Sequence, residues 1–259
     1  MQSIHNFRDF GGILVAGGLT IKKGLLYRSG SLAEASEEDL EQLAALGIRT
    51  VVDLRTHRER ENAPDRLPQN ESLTYLHLPV TVSKRYEAPR LKMMFSLMFG
   101  KGRSADFHDL TIQSYRSFVT DYQAEFGQVL KLAGDQSTLP LLIHCTAGKD
   151  RTGFAVSLVQ LLLRADPQAV MQDYLASNDH LRSYQQEMQQ KMKSLPRLGI
   201  SLEKFLPLFE ARSEYLQAAW QQIRQDYGTL EAYFELGLGL EASAQDHLRG
   251  LLLEQAASG

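Results

Sequence analysis

The chain has 259 residues with 28 basic and 31 acidic side chains, a formal net charge of −3 that excludes a molecule-wide attraction to nucleic acid. A hydrophobic share of 43% suits a globular protein with a sizeable core, and the length accommodates one large α/β domain or two small ones. The single cysteine excludes an internal disulfide framework and any multi-cysteine metal site, and it is compatible with a reducing compartment.

The opening "MQSIHNFRDFGG" has no basic-then-apolar leader, and no run approaches the ~20 apolar residues of a membrane span. The sequence therefore reads as cytoplasmic, with export by a route that needs no signal peptide left open. Without repeats or a Pro/Gly/Ser-rich linker, 1–259 reads as one domain. "GLLYRSG" (24–30) reads as a strand entering a turn. Ser36, with Asp39 three residues on, heads a helix in the manner of a capping box, and Gly47 ends it. "IRTVVDLR" (48–55) is a short β-branched run that ends in charge, as a buried parallel strand does. "LTYLHLPV" (73–80) reads as a further strand.

Residues 81–106 mix cations with Met93, Met94, Phe95, Leu97, Met98 and Phe99. One reading is an excursion whose apolar stripe docks on the core. The other is a flap inserted over a binding site, or an element in transient contact with a membrane surface. A helix is predicted over 107–133, where Tyr115, Phe118, Tyr122, Phe126 and Val129 recur at helical spacing. Pro140 and "LLI" form the next strand, and a helix from Thr152 to Arg164 is apolar on nearly every side, hence buried. Asp166-Pro167 has the form of a helix cap followed by a first-turn proline. Residues 180–227 read as a helical addition, with Tyr215, Ala219, Ile223 and Tyr227 four apart and Gly228 as the stop. The alternation implies an α/β fold: a mainly parallel central sheet flanked by helices, with extra helices at the C-terminus.

The lone cysteine lies in "HCTAGKDRTG" (144–153), between a buried strand and a buried helix, where α/β sheets bind ligands. Successive N–H groups of Thr146, Ala147, Gly148 and Lys149, with the positive helix end, favour an anion there. Gly148 lets the backbone curl inward, and Arg151 offers a two-donor fork to a phosphate. Such a field favours the thiolate form of a cysteine, which is the nucleophile. The segment thus describes an anion cradle with Cys145 at its base. Attack of Cys145 on phosphorus, then hydrolysis of a phosphocysteine, is the natural reaction. No metal or cofactor is called for, because Arg151 and the loop amides supply the positive charge. The alternative, a buried structural thiol with Lys149 and Arg151 as solvated charges, does not account for this combination of residues.

"HCTAGKDRTG" resembles the phosphate-binding signature of the protein tyrosine and dual-specificity phosphatases, and its Lys-Asp variant is similar to an atypical bacterial branch that includes phosphoinositide-dephosphorylating enzymes. "NFRDFGG" (6–12), "LLYRSG" (25–30), "TVVDLR" (50–55) and "DYLASND" (173–179) follow in the order of that branch. The resemblance implies a tyrosine-phosphatase-like fold and makes Cys145 the nucleophile and Arg151 the phosphate ligand. It further implies that Lys149 adds a cation at the rim for substrates with more than one phosphate, and that His144 tunes the thiolate by hydrogen bonding. Thr152 is either a hydroxyl donor to the sulfur or a helix-start residue. Asn6, Arg8 and Asp9 brace the loop, and Arg28 and Asn178 are supporting residues. Many tyrosine phosphatases carry their acid in a Trp-Pro-Asp loop. Here the only tryptophan is Trp220, followed by Gln221, so Asp150 and Asp53 are the two candidates, with Asp150 favoured. Arg55, on the same strand face as Asp53, is expected to bind a second phosphate.

The implied substrates are phosphotyrosine proteins, extending to phosphoserine, phosphothreonine or phosphoinositides. A phosphoinositide phosphatase as the main role is the alternative reading. Rhodanese-like sulfur transfer is a weaker one, because those loops do not usually continue into Arg-Thr-Gly. Arsenate reduction commonly needs further thiols, and a non-catalytic phosphate-binding module would have no use for Cys145.

Overall fold

The computed structural model of the chain describes residues 1–69, 72–81, 107–191 and 206–256. At its centre β4 (Leu26–Ser29), β5 (Thr50–Asp53), β6 (Thr74–His77) and β7 (Leu141–His144) run parallel. At one edge β1 (Arg8–Asp9) pairs antiparallel with β4. The order β1-β4-β7-β5-β6 places β7 between β4 and β5. All residues of β4, β5 and β7 are buried, and their side chains alternate between two apolar clusters. Leu26, Val52, Leu141 and Ile143 face the larger cluster, whereas Tyr27, Val51 and Leu142 face the smaller one. Burial on both faces is why these strands read as nearly continuous apolar runs.

Helix α1 (Glu37–Ala45) covers the smaller cluster with Leu40 and Leu43, and its start is the predicted cap, Ser36 Oγ accepting from the Asp39 N–H at 3.1 Å. Helix α2 (His57–Asn62) leaves the end of β5 through a capping box of Thr56 and Glu59. The other face carries α3 (Phe107–Asp121), α4 (Gln123–Ala133), α5 (Arg151–Leu162) and α6 (Pro167–His180). Every residue of α5 is buried, as its composition predicts, and Asp166 caps α6 by accepting from the Gln168 N–H at 2.7 Å.

The single helix predicted over 107–133 is instead two, broken where Tyr122 adopts φ −125° and ψ 32°. With the break, the aromatic stripe follows the curve of the core. Phe118 and Phe126, one from each half, both meet Phe154 of α5, at ring separations of 5.7 and 4.7 Å. Beyond α6 lie α7 (Arg182–Lys191), α8 (Leu206–Phe209), α9 (Ser213–Tyr227) and α10 (Ala242–Leu252). Tyr215, Ala219 and Ile223 of α9 are buried, as their spacing predicts. A second, antiparallel sheet was not legible in the sequence: β3 (Leu19–Ile21) lies between β2 (Leu14–Val15) and β8 (Leu253–Gln255). Strands this short carry almost no periodic signal, and β8 finds its partner across nearly the whole chain. The methionine-rich stripe of 93–99 lies outside the described residues. Among the described residues, no helix is long and apolar enough to cross a membrane.

Candidate active site

Cys145 follows β7 directly and is 2% exposed. The loop after it ends at Asp150, the N-cap of α5, so Arg151 is the first helical residue. At Gly148 the backbone takes φ +70°, and a Cβ would lie 2.3 Å from the Ser29 carbonyl oxygen at the end of β4. Glycine alone permits that approach. Asn6 Nδ2 donates to the Gly148 and Ala147 carbonyls at 2.8 and 3.2 Å, and Arg28 Nη2 donates to the Gly148 carbonyl at 2.9 Å. The Thr146 carbonyl accepts from the Ser31 N–H at 3.0 Å. Carbonyls held back in this way leave the loop N–H groups to converge on an anion.

The brace is itself secured. Arg8 donates to Asn6 Oδ1 and pairs with Asp173 at 3.0 Å, and Arg28 pairs with the other oxygen of Asp173 at 2.8 Å. Burial, then the neighbouring Arg28, lower the Arg8 pKa to about 10 against the pull of Asp173. Asp9 does a different job from the expected one: it accepts from the N–H groups of Gly11 and Gly24 at 2.7 and 2.6 Å, closing the N-terminal turn rather than bracing the loop.

Arg151 is 4% exposed, and its two terminal nitrogens are committed. Nη1 donates to Glu59 Oε2 at 2.6 Å, and Nη2 donates to Glu59 Oε1 at 2.9 Å and to Thr146 Oγ1 at 3.1 Å. Thr146 Oγ1 in turn donates to Glu59 Oε1 at 2.6 Å. Burial opposes the Arg151 charge, but the bonds to Glu59 and the nearby Cys145 keep its pKa above the ordinary value. Burial likewise opposes ionisation of Glu59, yet Arg151 and Thr146 bring its pKa down to about 2. The sequence reading missed Glu59. The Thr56-x-x-Glu59 capping pattern was visible, but nothing local showed that this carboxylate also reaches a residue 92 positions away.

Lys149 is 3% exposed and bridges both oxygens of Asp150, at 2.9 Å to Oδ1 and 2.8 Å to Oδ2, with a further bond to the Glu210 carbonyl at 3.3 Å. The Asp150 side chain is 18% exposed and also accepts from Tyr115 Oη at 3.0 Å. Tyr115 is a second residue that the sequence reading took only as core.

Asp53 and Arg55 lie elsewhere than expected. Asp53 is 0% exposed and Arg55 1%, so neither faces the mouth of the cradle. Arg55 holds both oxygens of Asp53, pairs with Asp65, and donates to Ser31 Oγ at 2.9 Å and to the Ala63 carbonyl at 2.8 Å. Tyr75 Oη donates to Asp53 at 2.6 Å. Burial pushes the Asp53 pKa up, but His144, Arg55 and Tyr75 together take it below the ordinary carboxylate value. His144 is 3.3 Å from Asp65 Oδ2, and its Nδ1 contacts the Cys145 carbonyl oxygen at 3.4 Å rather than the sulfur. Atoms of Asp53, Asp65 and His144 lie within 4.8 Å of one another, a spacing that suits a metal ion. The Arg55 guanidinium already lies between the two carboxylates and supplies the cation they need. Asn178 exchanges bonds with the Ala211 backbone at 2.7 and 2.8 Å, so it ties α6 to the segment before α9. Thr152 is 0% exposed, and its hydroxyl has no partner among the described residues.

The profile of the tyrosine phosphatase family matches residues 1–254. A Cupriavidus necator protein that carries a tyrosine-protein phosphatase name is 32% identical over 96% of this chain and 86% of its own length. The triple specificity protein phosphatase PtpB of Mycobacterium tuberculosis is 31% identical over 96% of each chain. Among solved structures, the core catalytic domain of the PP-IP phosphatase Siw14 from S. cerevisiae aligns at 14% identity and a TM-score of 0.35, covering 64% of this chain and 74% of that one.

Proposed function

Because the chain belongs to the tyrosine phosphatase family, we propose that it hydrolyses phosphomonoesters through a phosphocysteine on Cys145. The Cys145 thiolate attacks phosphorus, while the loop N–H groups and Arg151 hold the non-bridging oxygens. As the P–O bond breaks, the leaving oxygen takes a proton from Asp150. Water then attacks the phosphocysteine, returning that proton to Asp150 and releasing phosphate and the thiolate. Arg151 and the amides provide the positive charge, so the reaction runs without metal.

One observation carries this reading: Arg151 Nε is a buried donor with no partner among the described residues, on a guanidinium whose other nitrogens are held by Glu59. A buried donor left unpaired is costly, and a phosphate oxygen satisfies it. For the acid, Asp150 is favoured because it is partly exposed on the loop itself. Asp53 is sealed and its carboxylate is committed to Arg55 and Tyr75, so it has no open path to a leaving oxygen.

Phosphotyrosine proteins are the substrates this reading favours, with phosphoserine and phosphothreonine as extensions. Phosphoinositide turnover is a second reading: the M. tuberculosis relative carries a triple-specificity name, although Lys149, 3% exposed and paired with Asp150, offers no free cation for a second phosphate. The buried Arg55 does not contribute to it. Cys145→Ser is expected to abolish turnover of a phosphotyrosine peptide while vanadate still binds, and chelators should leave the wild type active. Substantial activity in the serine variant, or loss of activity with chelator, would overturn the mechanism.

A further inference from the structure

The Asp150 carboxyl receives a donor from outside its own loop, and that donor is the end of a chain. Tyr115 Oη, on α3, donates to Asp150 Oδ1 at 3.0 Å. A phenol has one proton, so with it committed to Asp150, Tyr115 accepts from Tyr174 Oη of α6, 2.8 Å away. Both protons then point the same way, from Tyr174 through Tyr115 to Asp150. Hydrogen bonds aligned in series polarise one another.

The surroundings add to the case. Tyr115 and Tyr174 are 0% and 1% exposed, and a Cβ on Gly153 of α5 would sit 2.9 Å from the Tyr174 ring, so that glycine admits the ring to the site. Ring packing alone does not need these hydroxyls: Tyr115 packs at a tilt against Phe118 and Tyr215, with ring centroids 5.1 and 5.9 Å away, as a phenylalanine also would. The neighbouring segment is tied to the same site at successive residues: the Glu210 carbonyl receives Lys149, and Ala211 is clasped by Asn178.

We propose that Tyr115, supported by Tyr174, is a positioning residue that orients the Asp150 carboxyl toward the leaving oxygen. The proposal rests on the reading of Asp150 as the acid. Tyr115 distinguishes the two carboxyl oxygens: Oδ1 accepts from both Tyr115 and Lys149, whereas Oδ2 accepts from Lys149 alone. Oδ2 is therefore the oxygen that carries the proton to the departing alcohol or phenol. The same Oδ2 recovers it from the attacking water in the second step, while Oδ1 stays hydrogen-bonded to Tyr115 throughout.

The test uses the leaving group in the full-length chain. With Tyr115→Phe, kcat on an alkyl phosphate and a phosphotyrosine peptide should fall about tenfold, while nitrophenyl phosphate turnover stays within about twofold and KM is unchanged. Tyr174→Phe should give the same pattern more weakly, and it serves as the test if Tyr115→Phe does not fold. In an Asp150→Asn background, Tyr115→Phe should add no leaving-group-selective loss. A uniform loss on all substrates, or a selective loss that persists without the Asp150 carboxyl, overturns the proposal. If Asp150→Asn is selective and neither tyrosine variant is, only the positioning role fails. If Asp150→Asn is itself unselective, the acid assignment fails and takes the positioning role with it.

Discussion

Asp53 and Asp150 carry the same side chain on neighbouring strand-to-helix connections, yet their surroundings are opposite. Asp53 ends β5, lies beside His144 in the sheet register and is sealed by Arg55 and Tyr75. Asp150 caps α5 at the rim, partly exposed, with Lys149 and Tyr115 on its carboxyl. What separates them is access: Asp150 is partly exposed on the loop, whereas Asp53 is closed off from any bound substrate. The sealed pair helps to hold the floor beneath the loop, since Arg55 also fixes Ser31, whose N–H supports Thr146.

Exchanging each carboxyl for an amide should separate the two roles most sharply. Asp150→Asn should cost about 10²- to 10³-fold on alkyl phosphates and far less on nitrophenyl phosphate. Asp53→Asn should leave that leaving-group dependence intact but destabilise the fold by about 1–3 kcal/mol, because the buried Arg55 then keeps Asp65 alone as its carboxylate partner. Denaturant titration and a leaving-group series read both effects, and an exchange of the two patterns would make Asp53 the acid.

Glu59 extends the comparison to a carboxylate that acts through Arg151. Glu59→Gln should weaken the fixed fork and raise KM roughly tenfold for every substrate, without leaving-group selectivity. Steady-state kinetics on aryl and alkyl phosphates check it, and a selective loss would move Glu59 into the proton-transfer step.

Acid titration compares the sealed Asp53 with the half-buried Glu59 directly. The Asp53 pKa in the folded protein is below its ordinary 3.8, so its stabilisation is complete above that pH and is lost as pH falls through the folded value. For Glu59 the loss should run from 4.5 down to about 2. Circular dichroism below pH 4 should show a shallower loss of stability in Asp53→Asn than in the wild type. An unchanged slope would mean that the Asp53 pairing contributes nothing to folding.

The smallest expected effect concerns Lys149. Its ammonium is committed to Asp150 and Glu210, so Lys149→Ala should slow phosphotyrosine and phosphoinositide turnover alike, within about threefold of each other. A loss confined to phosphoinositides would restore Lys149 as a ligand for a second phosphate.

The sequence by itself determined the cradle, because the parts that make it are contiguous. A buried strand, a cysteine, a glycine able to take positive φ and an arginine opening a helix need only local geometry to converge. Parallel strands buried on both faces were legible for a similar reason, since continuous apolar runs report burial directly. Tertiary structure alone decided which charges are sealed and which can act. Asp53 meets His144 only because β5 is placed beside β7, and Glu59 reaches Arg151 only because α2 folds back across the loop. Tyr115, periodic with its apolar neighbours, reads as core in the sequence, and only the approach of α3 to the loop gives its hydroxyl a carboxylate. Periodicity reports which face of an element is buried, whereas the partner of a buried polar group depends on which elements the chain brings together.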